Sequence, residues 1–246
     1  MASDSARNFT LEPHADEPHR EGLAQRLNWL RAGVLGANDG IVSVAAVVVG
    51  VAGATPVAGA ILTAGVAALV GGAISMALGE YVSVSSQSDS EKALIAKEIH
   101  ELEEMPEQEL KELAEIYEAK GLSPETAQQV ARELTAHDPL AAHLSAELHL
   151  DPDDLVSPSH AAFASALSFT LGAILPLLAI LLTPQSWRIP FTFVVVLIAL
   201  ALTGAVAAHI GGSSRLRATV RVVVGGAIAL VVTFLIGMLL GTAGVA

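Results

Sequence analysis

Residues 57–112 read VAGAILTAGVAALVGGAISMALGEYVSVSSQSDSEKALIAKEIHELEEMPEQELKE, and the change of character within them decides the fold. Up to Gly79 this stretch has no charged side chain, and it is long enough to supply the roughly 20 apolar residues that cross a bilayer as a helix. From Glu80 onward carboxylates accumulate, yet neither glycine nor proline interrupts the chain before Pro106. Proline lacks the N–H that a helix interior needs and disfavours helix at the residue before it. A single helix is therefore expected to leave the membrane, continue through Glu91 and stop near Glu104.

Four further apolar runs, at 32–54, 161–183, 189–210 and 218–243, join the run at 57–84 to make five spans. Five spans put the two ends of the chain on opposite sides. Only 15% of the residues are charged, against about a quarter in an ordinary soluble domain. The charge is also segregated: all 25 acids lie at or before Asp154, and 18 of them fall in 86–156 beside five bases. The absence of cysteine excludes a disulfide scaffold and thiolate zinc sites. A net charge of -12 excludes a basic nucleic-acid binder, so no nucleic-acid partner is expected.

Lysine and arginine near membrane ends accumulate on the cytoplasmic side. With the start of the chain inside, 12 of the 13 bases are cytoplasmic and Arg188 alone is outside. The acidic insert is then cytoplasmic and the turn at 183–190 is external. The apolar run at 32–54 is too long and too far along the chain for a signal-peptide core. Residues 1–20 read as a polar tail, in which Pro13, His14, Pro18 and His19 suggest disorder more than a metal site.

The insert carries helix punctuation at regular intervals. A helix over 107–120 is closed by Gly121; Ser123, Pro124 and Glu125 start the next, and Asp138-Pro139 a short one ending near His149. Glu98 and Glu101 precede the Pro106 break, and Glu109 and Glu112 follow it. Each pair is three apart and so shares a helix face. If the chain reverses at Met105-Pro106 the pairs face each other, and converging carboxylates repel unless a cation neutralises them. His143 and Glu147, four apart on the last helix, would complete such a cluster. Spacing alone also fits a solvated glutamate-rich surface.

Within the spans, Asp39 is the one acid well inside the apolar region, in Gly36-Ala37-Asn38-Asp39-Gly40. It sits roughly 10 Å below the start of its run at the helical rise, and an intramembrane carboxylate is a functional candidate by default. An interfacial break in the helix is the alternative. In the second span Met76 and Glu80 are four apart on one face, a thioether and a carboxylate that together suit a borderline transition metal. Met76 also fits simple packing, and Glu80 an exposed interfacial position. His209 reads as structural, and Ser43, Ser75, Ser165 and Ser168 as packing hydroxyls.

Asp39, the AISMALGEY stretch at 73–81 and the acidic helical insert before three more spans together resemble the vacuolar iron transporter family over about residues 25–245. The resemblance implies a homodimer of five-span subunits that moves ferrous iron, and often manganese, out of the cytoplasm in exchange for protons. It implies a conduction path at the dimer interface lined by Asp39 and Met76. It also implies a cytoplasmic metal-binding domain whose ligands match Glu98, Glu101, Glu109, Glu112 and Glu147. Two positions depart from the plant pattern. Ala68 stands where plant members have a second-span glutamate, and His143-Leu144 stand where they have paired methionines.

The expectation is thus an all-α membrane protein with five transmembrane helices and a cytoplasmic helical metal-binding domain inserted between helices 2 and 3. Its segments are a tail at 1–28, helices 1 and 2 at 29–85, the metal-binding domain at 86–160 and helices 3–5 at 161–246. The expected function is Fe2+ or Mn2+ transport with proton antiport, for metal homeostasis and detoxification, with no prosthetic group and no enzymatic activity. The expected ligands are Glu98, Glu101, Glu109, Glu112, His143 and Glu147 in the insert and Asp39 and Met76 on the path, with Glu80 as a further candidate. The expected location is a bacterial plasma membrane, or a vacuolar membrane in a eukaryotic host, with the start of the chain and the insert cytoplasmic. The spacing of Gly36 and Gly40 lends the homodimer weak support. A membrane-anchored metal sensor or buffer is the alternative function.

Overall fold

Eight α-helices and one π turn, with no strand, make up the described residues, 23–150 and 157–244, of a computed structural model. Helix α1 is Leu23–Ala54, α2 Ala58–Glu104, α3 Pro106–Ala119, α4 Pro124–His137, α5 Pro139–His143, α6 Pro158–Leu182, α7 Arg188–Ile210 and α8 Arg215–Thr242; the π turn, Leu144–Leu148, follows α5 directly. Segments of α1, α2, α6, α7 and α8 are long and apolar enough to cross a membrane. The tail with His14 and His19, and the acids Asp151, Asp153 and Asp154, lie outside the described residues.

The 47 residues of α2 make a rod of roughly 70 Å at the helical rise, more than twice the roughly 30 Å of a hydrocarbon core. The part beyond about residue 84 therefore stands outside the membrane. Its serines are poor helix formers, but pairs one turn apart support it: Gln87 Nε2 donates to Glu91 Oε1 at 2.8 Å and Lys97 Nζ to Glu101 Oε2 at 2.7 Å. Met105 leaves the helix at φ -133° and ψ 45°, and Pro106 opens α3 at a position where its missing N–H costs nothing.

Helix α1 lies at the centre of the bundle, packed on α6, α8, α2 and α7. Ile41, Val44, Val48 and Val49 of α1 meet Ile61, Phe169, Ile180, Leu200 and Leu230 in the core. The outward faces are equally apolar, with Leu78, Phe163, Leu171, Leu182, Leu202 and Leu239 exposed, a surface that suits lipid. Two close contacts in the crossing of α1 and α6 depend on glycine. A β-carbon on Gly40 would collide with the Phe169 carbonyl, and one on Gly172 with the Ala37 carbonyl. Gly36 also faces α6, against Ser165 and Ser168. These glycines serve a contact within one chain, so the expected support for a contact between copies is withdrawn.

The insert has a small core of its own, Leu113 and Ala114 of α3 with Ala131 of α4 and Ala146 of the π turn. Its helix starts follow the sequence: Ser123 Oγ accepts from Thr126 N at 3.3 Å and Asp138 Oδ1 from Ala141 N at 3.0 Å. Gly121 turns the chain at φ +101°, a conformation that favours glycine. Helices α3 and α5 both pack on the outer part of α2.

Replacing Gly40 by valine forces a side chain against backbone and is expected to cost about 1–3 kcal/mol. Gly225, on the open face of α8, has no neighbour within 4 Å of a built β-carbon, so Gly225→Ala is expected to unfold at or above the parent temperature. Thermal unfolding in detergent checks both; equal midpoints for the two variants would contradict the α1–α6 crossing.

Candidate metal centre

The insert packs against the outer part of α2 in a way that removes three ionisable side chains from water. Glu98 on α2, Glu109 on α3 and His143 at the end of α5 retain 3%, 5% and 0% exposure. The reversal at Met105-Pro106 brings the first two to one side, and α5 closes over them. One ligand atom from each of the three lies within 4.8 Å of the others. His143 Nδ1 is 2.9 Å from Glu98 Oε1 and 3.6 Å from both Glu109 Oε2 and Glu147 Oε2. Glu147 comes from the π turn, a wider turn than α that recurs at functional sites.

None of these approaches has the geometry of a hydrogen bond. Glu98 Oε1, Glu147 Oε2 and both imidazole nitrogens are buried without a partner. Buried polar atoms are nearly always paired, and an orphaned cluster asks for a water or an ion. Burial holds the Glu98 carboxyl above its ordinary range, reinforced by the charge of Glu147 and opposed by His143. Burial does the same to Glu109, with Glu112 as the next contributor. Carboxylates forced together out of water are costly when ionised. A divalent cation among them would turn that repulsion into attraction, and three carboxylates with one imidazole form a donor set for Fe2+, Mn2+, Co2+ or Zn2+.

Of the six insert residues expected as ligands, Glu98, Glu109, His143 and Glu147 converge. Glu101 is instead engaged by Lys97, and Glu112 is exposed and acts on Glu109 only through its charge. The Lys97–Glu101 pair is four apart on one helix and was legible as such. Leu144 is buried beside His143.

In the membrane, Asp39 is exposed on the single chain, and Ser43 Oγ, one turn on, donates to its Oδ1 at 2.8 Å. Neighbouring Asn38 accepts through its side-chain oxygen from the Thr203 hydroxyl of α7, which ties α1 to α7 beside Asp39. Neither bond was anticipated, although Ser43 stands at helical spacing from Asp39. Met76 is half-buried and packs partly on the core, as does Ala68; Glu80 is half-buried one turn on. Counted from the α1–α2 turn at the helical rise, Asp39 and Met76 stand at similar heights, roughly 22 and 27 Å. Both thus lie in the half of the bilayer nearer the acidic helices. His209 Nδ1 accepts from Arg215 at 2.8 Å, in line with a structural role.

Comparison with known proteins finds relatives along most of the chain. A family model described as the VIT family matches residues 30–238. A vacuolar iron transporter of Acanthamoeba castellanii is 44% identical over 230 residues, 93% of this chain and 85% of that protein. Vacuolar iron transporter homolog 2.1 of Arabidopsis thaliana is 34% identical over 242 residues, 98% of this chain and 94% of that protein. Vacuolar iron transporter homolog 1 of Oryza sativa subsp. japonica is 37% identical over 221 residues, 89% of this chain and 77% of that protein.

The raised carboxyls at Glu98 and Glu109 predict a pH dependence. A carboxyl that holds its proton more tightly folded than unfolded favours the folded state while protonated, and that contribution is lost as pH rises through the folded value. Without divalent ions, hydrogen-exchange protection of 106–148 is expected to fall from mildly acidic to neutral pH, and Mn2+ is expected to restore it. Protection that is flat with pH and indifferent to Mn2+ would contradict the cluster's electrostatics.

Proposed function

The chain belongs to the VIT family, and from that membership we propose that it is an integral membrane transporter of ferrous iron, carrying manganese as well, and not an enzyme. One observation carries the metal reading: a fully buried imidazole among three carboxylates, with lone pairs and no hydrogen bonds between them. The insert is taken as a cytoplasmic metal-collecting domain, an orientation supported by the distribution of lysine and arginine. Transport then runs out of the cytoplasm, across a bacterial plasma membrane or a vacuolar membrane, and serves metal homeostasis and detoxification.

The proposed path begins at Glu98, Glu109, His143 and Glu147, where dilute cytoplasmic metal is concentrated. It continues at Asp39 and Met76, with Glu80 at the membrane surface between them and the insert. An exposed carboxylate at membrane depth is unfavourable against lipid. A second copy of the chain covering Asp39 relieves that, and α2, the least buried of the five spans, offers it a broad apolar face through Leu62, Val66, Val70, Ile74 and Leu78. In the homodimer, two Asp39 carboxylates and two Met76 thioethers replace part of the ion's hydration shell. Metal binding needs the ionised carboxylate, so a proton arriving at Asp39 from the far side expels the ion. Competition of metal and proton for one carboxylate gives antiport without further parts.

The test is flux into proteoliposomes with internal metal and pH followed together. The expected outcome is metal uptake coupled to proton movement in the wild type, and uptake at background level in Asp39→Asn with the protein still folded. Normal flux in Asp39→Asn would remove Asp39 from the path. Metal binding with no flux in the wild type would favour an anchored sensor or buffer.

A further inference from the structure

The innermost residues of the cluster are buried, and two partly exposed carboxylates flank them. Glu98, Glu109 and His143 are withdrawn from solvent, whereas the side chains of Glu147 and Glu101 keep 30% and 24% exposure. An ion approaching the inner ligands passes these two carboxylates. Lys97 pairs with one of them. Its Nζ donates to Glu101 Oε2 at 2.7 Å, and its side chain keeps 66% exposure. The negative charges of Glu147 and Glu98 lie near the same ammonium.

We propose that Lys97 is a tethered counter-cation of the metal centre: its ammonium occupies Glu101 at the mouth of the cluster, and a divalent ion displaces it on binding, releasing Glu101 toward the metal. The inference rests on the metal reading of the cluster and adds a residue that sets its affinity. An ammonium has three donors and no lone pair, so Lys97 does not ligate; it acts by neutralising one carboxylate and repelling the arriving charge. Both effects weaken binding and speed release. A site that passes its ion onward benefits from both, because a site that binds too tightly retains its cargo.

The full-length protein in detergent, titrated with Mn2+ at low ionic strength with free ion read by electron paramagnetic resonance, tests this. Lys97→Gln is expected to bind Mn2+ roughly threefold to tenfold more tightly than wild type, the size of a unit charge acting on a divalent ion across roughly 6–13 Å of water. Lys97→Arg, which keeps the charge, is expected to match wild type, and added salt is expected to narrow the Lys97→Gln difference. A purely structural ion pair would move affinity the other way, since its loss loosens the site. Unchanged or weaker binding by Lys97→Gln overturns the proposal. Glu98→Gln combined with Glu109→Gln separates the two levels. If that variant loses binding while Lys97→Gln is unchanged, only the role of Lys97 fails. If it binds as wild type does, the cluster is not the metal site and the role of Lys97 fails with it.

Discussion

The continuity of α2 from Ala58 to Glu104 couples two regions that need opposite solvents. A helix satisfies its own backbone hydrogen bonds, so it can pass from hydrocarbon into water without interruption. Met76 and Glu98 therefore ride on one rigid element, 22 residues and roughly 33 Å apart at the helical rise. The rest of the molecule is arranged around that rod. Helix α6 packs on its membrane half, while α3 and α5 return to its outer half after the break at Pro106. The cluster of carboxylates and imidazole exists because the chain turns back at that proline and meets the helix it has just left.

The insert gains little from burial. Its buried apolar side chains are two leucines, Leu113 and Leu144, and four alanines, Ala114, Ala127, Ala131 and Ala146, with a few half-buried ones around them. Against that small apolar gain stand buried carboxylates whose ionisation burial opposes. A domain in this position is sensitive to its ligand, because an ion that binds only the folded form stabilises it by mass action. Strain of this kind at a buried polar cluster is what a structural core would avoid and what a binding site requires.

Much of this was legible in the sequence. The five spans follow from runs of apolar residues, which lipid makes nearly unambiguous. The insert's helix boundaries follow from Pro106, Ser123-Pro124 and Asp138-Pro139, each with a local steric or hydrogen-bonding cause. The cluster was legible in part. Spacing of three placed Glu98 with Glu101 and Glu109 with Glu112, but the lateral offset of α3 on α2 decides which member of each pair turns inward. Gly36 and Gly40 announced a close helix approach without naming the helix, which is α6 of the same chain. The pairings of Asn38 with Thr203 and of Arg188 with the Pro56 carbonyl join residues far apart in sequence and carry no local signal.

The claim that a transition metal is held by His143 together with the carboxylates of α2, α3 and the π turn is tested most directly by X-ray absorption at the iron edge. The full-length protein loaded with one equivalent of Fe2+ is predicted to show a shell of nitrogen and oxygen with the outer-shell scattering of an imidazole, and His143→Phe is predicted to lose that imidazole signature. An all-oxygen environment in the wild type, or identical spectra for the two proteins, would contradict the account.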